Sequence, residues 1–239
     1  MNIIQSPLNI PGRIYVSPIT LLLEKTINIP GLTTIHGLTV RYTLNDDDSD
    51  EINWPHPYNC GYSPDGPNEF SLDDQNILHY YLHKRLQQKD KIVIVEIGVC
   101  RSDYHKTSTS ILMDNKRDND IYIGIDIEDK SYLNNPSKNI YTLKTRSEDF
   151  TTVYNFFKRL GITEIDFFMI DGWHSVNQVY AEWTYTQMLV RQGIVAFHDT
   201  NAHPGPSCVL ASIDTTQYDV YKYLIDIQDW GIGIAVKKE

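Results

Sequence analysis

The sequence predicts an α/β protein built on a mostly parallel sheet with a short antiparallel tail. Three observations carry that prediction. Ile165-Asp166-Phe167-Phe168-Met169-Ile170 and Gly193-Ile194-Val195-Ala196-Phe197 are apolar runs that stop abruptly at Asp171-Gly172-Trp173-His174 and His198-Asp199-Thr200. Runs of this length between helical stretches read as strands buried on both faces. Further strand-like runs alternate with helical periods from Ser71 onward, the pattern of βα units. Near the end of the chain, residues 218–225 and 232–236 are again strand-like, with too few residues between them for a crossover helix. They are therefore expected to pair antiparallel.

Residues 1–70 form an N-terminal extension of different character. Pro7, Pro11, Pro18, Pro30, Pro55, Pro57, Pro64 and Pro67 interrupt every helical period. A hairpin is expected around His36-Gly37. Asp46-Asp47-Asp48-Ser49-Asp50-Glu51 lacks the glycine and closing glutamate of a calcium loop and reads as a solvated acidic loop. Trp54-Pro55-His56-Pro57-Tyr58-Asn59-Cys60-Gly61-Tyr62 is either a packed loop or a substrate lid.

The regular part, residues 71–239, opens with Ser71-Leu72-Asp73-Asp74 in capping-box form, followed by Ile77, Leu78, Tyr81, Leu82 and Leu86 on one helical face. Residues 91–97 form the first strand and 108–113 a short helix. Residues 121–126 and 139–143 are the second and third strands, with a helix over 147–160. After the fourth strand, Ser175-Val176-Asn177-Gln178 starts a helix whose sheet-facing residues run from Val176 through Trp183 to Leu189 or Val190, with Gly193 as its C-cap. The fifth strand follows at 194–197.

The formal net charge of −10 argues against a general nucleic-acid binder, which would show a basic face. Cys60, Cys100 and Cys208 are widely spaced and odd in number, which fits a reducing compartment better than a disulfide framework. No basic-then-apolar leader or membrane-spanning run is present, so the cytoplasm is expected, or the host cytoplasm for a viral source. Oligomeric state is left open, a homodimer included.

Glu96-Ile97-Gly98 ends the first strand like a nucleotide-binding start. Cys100 and Arg101 or Ser102 stand where a dinucleotide fingerprint needs its second and third glycines. A ligand with ribose and adenine but no phosphates fits better, with Gly98 allowing close backbone approach and Asp126 accepting the ribose hydroxyls. Val95-Glu96-Ile97-Gly98, Tyr122-Ile123-Gly124-Ile125-Asp126, Ile170-Asp171-Gly172-Trp173-His174 and Phe197-His198-Asp199-Thr200 together resemble the class I S-adenosylmethionine-dependent methyltransferases. Within them they are most similar to the small-molecule and sugar O-methyltransferases, the macrocin-type and cephalosporin-hydroxylase-like group. The resemblance covers the chain from Ser71 onward. It implies a Rossmann-like seven-stranded sheet with a reversed last strand and helices on both faces. It also implies cofactor contacts at Glu96, Gly98, Asp126, Ser147, Glu148 and the neighbourhood of Asp171.

Methyl transfer to an alcohol needs alignment and a proton acceptor. Asp171 and Asp199 suit a hard divalent ion such as Mg²⁺. In macrocin-type enzymes the corresponding site has an acidic pair after the fifth strand; here the pair is His198-Asp199, so His198 is the uncertain third ligand and Mn²⁺ an alternative ion. His174, with Asp171 beside it in the catalytic group, is the expected general base. Asn201 and His203 either line the acceptor pocket or form a plain turn. Trp173 either covers a ligand or packs, and Asp103, Tyr104 and His105 could reach the methionine end of the cofactor. The expected acceptor is a hydroxyl of a sugar or other polyhydroxylated small molecule or glycan, with no nucleic-acid or membrane partner. The rival readings are a nicotinamide-dependent oxidoreductase and a non-catalytic protein retaining the fold.

Overall fold

The computed structural model describes residues 70–100, 107–201, 203–223 and 230–239. The expected hairpin, acidic loop and lid in residues 1–69, and Asp103, Tyr104 and His105, lie outside these residues. Helix α1 (Leu72–Leu86) begins with the expected capping box: Asp74 N donates to Ser71 Oγ at 3.1 Å and Ser71 N to Asp74 Oδ2 at 3.2 Å. Then come β1 (Val93–Ile97), α2 (Ser108–Asn115), β2 (Ile121–Asp126), β3 (Ile140–Lys144), α3 (Phe150–Arg159) and β4 (Ile165–Ile170). The chain closes with α4 (Val176–Trp183), β5 (Leu189–Phe197), α5 (Pro204–Ser212), β6 (Tyr218–Tyr223) and β7 (Ile232–Lys237).

One seven-stranded sheet runs β3-β2-β1-β4-β5-β7-β6. Six strands are parallel; β7 is antiparallel to both β5 and β6. The strand order reverses between β1 and β4, which places the ligand crevice of an open α/β sheet at their carboxyl ends. Strand alternation divides the apolar side chains between two cores. Ile94, Phe167, Met169 and Ile194 face Leu78, Tyr81 and Leu82 of α1. Val95, Phe168 and Val195 face Val153, Phe157, Val179 and Trp183 of α3 and α4. Each such side chain contributes roughly 1.5–3 kcal/mol of burial, which is why both faces of these strands must be apolar. Asp166 is the exception within β4. It is fully buried, accepts from Arg85 Nη2 at 2.5 Å and Val93 N at 2.9 Å, and so ties the end of α1 to the sheet. No helix among the described residues is long and apolar enough to cross a membrane.

Two expectations are corrected. The helix after β4 stops at Trp183, a 3₁₀ turn over Thr184–Met188 follows, and Leu189 and Val190 already belong to β5. Gly193 is thus no C-cap. It sits in a bulged strand beside Gln192 at φ 58°, where an added Cβ would lie 2.7 Å from Leu189 Cγ and 2.7 Å from Val190 O. The segment Pro204-Gly205-Pro206, read as loop, instead opens α5 with proline in its first turn. That position needs no N–H donor, so proline fits it.

Candidate active site

The site is built where two parallel strands end side by side. Ile170 of β4 pairs with Phe197 of β5, and the ladder continues one step through His198 N→Ile170 O at 3.1 Å. On the other side Asp171 N donates to Ile97 O at 2.9 Å. Asp171 and His198 therefore emerge as neighbours. Asp199 then turns the chain in the left-handed region at φ 59°. For a non-glycine residue this costs on the order of 1–2 kcal/mol. The turn brings consecutive side chains to the same spot: His198 Nδ1 lies 3.1 Å from Asp171 Oδ1 and 3.2 Å from Asp199 Oδ1.

Asp199 uses its second oxygen on His174, whose Nε2 is 2.7 Å from Asp199 Oδ2. His203 stacks on His174 with ring centroids 4.2 Å apart, and Trp230 stacks on the far side of His203 at 5.6 Å. Asn201 lies in a turn, and both Asn201 and His203 are buried, with His203 immediately before α5. Trp173 is 51% exposed, so about half of its surface is open to solvent. One residue was missed by sequence reasoning. Asp74, fully buried in the first turn of α1, brings Oδ2 to 3.6 Å from His198 Nε2. Its capping role concealed it, and no spacing links it to residues so distant in sequence.

The electrostatics follow from this packing. Burial disfavours the charged His198, but Asp199 and Asp171 outweigh it and hold the imidazolium well above its ordinary pKa. Burial likewise opposes ionised Asp199, yet His198 and His174 pull its carboxyl well below the usual range. The result is a compact arrangement of carboxylates around one imidazolium.

Facing this rim across the switch point is the loop after β1. Gly98 has φ +81°, and a Cβ there would fall 1.9 Å from Asp171 O. The close approach that makes Gly98 necessary is thus to the backbone of Asp171. Asp126, at the end of β2, accepts from Val99 N at 2.8 Å through Oδ2 and from Glu128 N at 2.7 Å through Oδ1. Each oxygen keeps a lone pair for a ribose hydroxyl. Ser147 and Glu148 follow β3 and bond to the side chains of α4. Gln178 Nε2 donates to Glu148 Oε2 at 3.0 Å, and Ser147 Oγ donates to buried Glu182 at 2.7 Å. Burial pushes the Glu182 carboxyl up to about 7 against the lowering effect of Ser147 and Gln178.

Glu96 points into the interior, where its Oε2 accepts from Tyr122 OH and from Thr109 Oγ1 at 2.9 Å. Its Oε1 is buried with no hydrogen-bond partner among the described residues. Burial raises its carboxyl from 4.5 to about 8 despite the opposing hydrogen bonds. Because the folded state holds this proton more tightly than the unfolded chain, stability falls as pH rises from about 4.5 to 8. Glu96→Gln mimics the protonated form. It is expected to melt at least about 5 °C above the unsubstituted protein at alkaline pH, and level with it near pH 4.5, by calorimetric scans across pH.

No family model matches the sequence, and no curated protein does. Solved structures do match. An O-methyltransferase from Bacillus cereus in complex with SAH superposes with TM-score 0.52 at 14% identity, covering 72% of this chain and 84% of that one. The MycE methyltransferase from the mycinamycin biosynthetic pathway, in complex with Mg, SAH and mycinamycin VI, gives 0.48 at 15% identity. That match covers 67% of this chain but only 49% of MycE, so the chain spans about half the length of that enzyme. CalS11, a TDP-rhamnose 3'-O-methyltransferase of calicheamicin biosynthesis, gives 0.49 at 12% identity over 73% of this chain and 88% of that one. The sheet order, the reversed seventh strand and the likeness to the Bacillus cereus enzyme agree: this chain has the fold of the class I S-adenosylmethionine-dependent O-methyltransferases.

Proposed function

We propose that the chain is an S-adenosylmethionine-dependent O-methyltransferase acting on a hydroxyl of a sugar or other polyhydroxylated small molecule. The observation that carries this reading is the convergence of Asp171, His174, His198 and Asp199 on the carboxyl rim of β4 and β5, directly against the Gly98 loop. The net charge of −10 favours such an acceptor over nucleic acid.

Asp126 would hold the ribose. Ser147 and Glu148 would frame the adenine, while Glu96, wholly buried, would support the end of β1 from within. His174 would receive the acceptor's proton. Its Nε2 lies 2.7 Å from Asp199 Oδ2, which would orient the imidazole for that task. Alignment of the hydroxyl with the sulfonium would contribute on the order of 7–11 kcal/mol.

Asp171, His198 and Asp199 suit a divalent ion. Their ligand atoms are 3.1 and 3.2 Å apart. An octahedral ion with bonds of about 2.1 Å has adjacent ligands about 3.0 Å apart. Such an ion, Mg²⁺ or Mn²⁺, would lower the pKa of a bound hydroxyl. His198 binds it only as neutral imidazole, so the site would release a proton on loading and weaken as pH falls.

Calorimetric titration with S-adenosylmethionine and its demethylated product, with and without Mg²⁺, tests the reading. Binding should weaken at least about tenfold in Asp126→Ala, the loss of one or more charge-assisted hydrogen bonds. No binding of either compound in either condition sinks it.

A further inference from the structure

His198 is buried, and both nitrogen edges of its ring face carboxylates. Nδ1 meets Asp171 and Asp199 at 3.1 and 3.2 Å. Nε2, on the opposite edge, lies 3.6 Å from Asp74 Oδ2 and has no hydrogen-bond partner among the described residues. Asp74 Oδ1 is likewise buried without one. Each such orphan costs about 1–3 kcal/mol, more where the group is charged, so two of them side by side point to a contact that closes. The gap is about 0.7 Å longer than a charge-assisted N–H···O bond, within reach of the soft terminal torsion of an aspartate. We propose that Asp74 is the positioning residue of His198: it accepts the Nε2 proton and so commits Nδ1 to the side of Asp171 and Asp199.

Asp74 arrives already oriented. Its Oδ2 accepts from Ser71 N at 3.2 Å and from Ser71 Oγ at 3.0 Å, while its own N donates back to Ser71 Oγ at 3.1 Å. Phe70, just before that cap, packs its ring on His198 with centroids 4.9 Å apart. Phe70, Asp74 and His198 are all buried, which keeps bulk water from replacing the carboxylate as acceptor. A capping role needs only Oδ2. It explains neither the buried Oδ1 nor the placement of a carboxylate against the free edge of an imidazole.

The consequence for a metal rests on the proposed function; the pairing of Asp74 with His198 does not. Nδ1 is the nitrogen that faces the two acids, so an ion held there requires the proton on Nε2. A ligating histidine ordinarily donates its second N–H to a carboxylate or carbonyl, which fixes the ring and raises its basicity as a ligand. Asp74 stands where that acceptor belongs.

The Nε2–H proton of His198, read by nitrogen-edited NMR, tests the proposal. In the unsubstituted protein, metal-free or with Mg²⁺, it should give a low-field, slowly exchanging signal. Asp74→Ala should move that signal upfield or lose it to exchange, and should weaken Mn²⁺ binding, followed by electron paramagnetic resonance, about 10–100-fold. Ser71→Ala is the control. It breaks the capping box from the other side at a cost of about 1 kcal/mol but leaves Asp74 in place. Its Nε2–H signal should persist and its Mn²⁺ affinity stay within about threefold. Asp74→Asn fills the same volume and offers only a neutral acceptor, so it should move the signal the same way even if the alanine variant fails to fold. An unchanged signal in both Asp74 variants overturns the proposal. So does an equal loss of Mn²⁺ affinity in Ser71→Ala and Asp74→Ala, because helix capping alone then accounts for the effect. If the unsubstituted protein binds no Mn²⁺, the proposed metal fails, while the Nε2–H signal still decides the role of Asp74.

Discussion

Gly98→Ala is expected to abolish cofactor binding and to lower stability by about 3 kcal/mol or more, about 6–12 °C in melting temperature. Two costs combine. The backbone is at φ +81°, where a Cβ is strained by roughly 1 kcal/mol, and that Cβ would fall 1.9 Å from the carbonyl oxygen of Asp171 and 2.8 Å from Gly172 N. Neither neighbour can swing away, because both are backbone atoms at the end of a central strand, and Asp171 N is itself bonded to Ile97 O at 2.9 Å. Gly161 is the control. It has φ +69° but nothing within 4 Å of its Cβ position, so Gly161→Ala should cost only about 1 kcal/mol and leave binding intact. Equal destabilisation by the two substitutions would show that backbone strain alone, and not the approach to Asp171, makes Gly98 necessary.

The contrast between these two glycines also separates what was legible in the sequence from what was not. The central strands were readable because burial on both faces leaves only Glu96 and Asp166 as polar positions within β1, β4 and residues 194–197. The strand ends were readable for the opposite reason: polarity returns at once at Asp171 and His198. Leu189 and Val190 were not readable as strand, since a short apolar pair satisfies a helical period as well as an extended one. Only the bulge at Gln192 and the register shift between Ile165 and Phe167 let β5 begin so early. His203 was legible as a polar residue near the rim but not as its buried inner wall, because proline and glycine look alike in a turn and in the first turn of a helix. Asp74 was hidden more completely. The resemblance to macrocin-type enzymes expects a third acid at position 198. Histidine stands there instead, and Asp74 of α1 lies on the far side of its ring, 3.6 Å from His198 Nε2.

The other large effect is expected at Asp199. Its carboxylate touches both His174, at 2.7 Å, and His198, at 3.2 Å. Asp199→Asn keeps the shape and removes the charge. If the chain transfers methyl groups as proposed, kcat should fall by about 10²–10⁴, the range for losing an effective general base, because His174 loses the partner that orients its imidazole. Cofactor affinity should stay within about threefold, since the proposed cofactor contacts lie on other strand ends. Stability should shift with a definite sign. His198 has a folded pKa raised well above 6.5, so its contribution is fully present below that value and is lost as pH rises through the folded pKa. Removing Asp199 withdraws the larger of its two favourable charges and leaves Asp171 as the remaining one, so this contribution shrinks and disappears at lower pH in the variant. Melting curves of the two proteins should therefore converge at alkaline pH, where His198 is neutral in both, and separate as pH falls toward neutrality. A loss of kcat without that pH-dependent gap would place Asp199 at the metal alone. A gap without loss of kcat would make it a structural anion and remove it from the proposed mechanism.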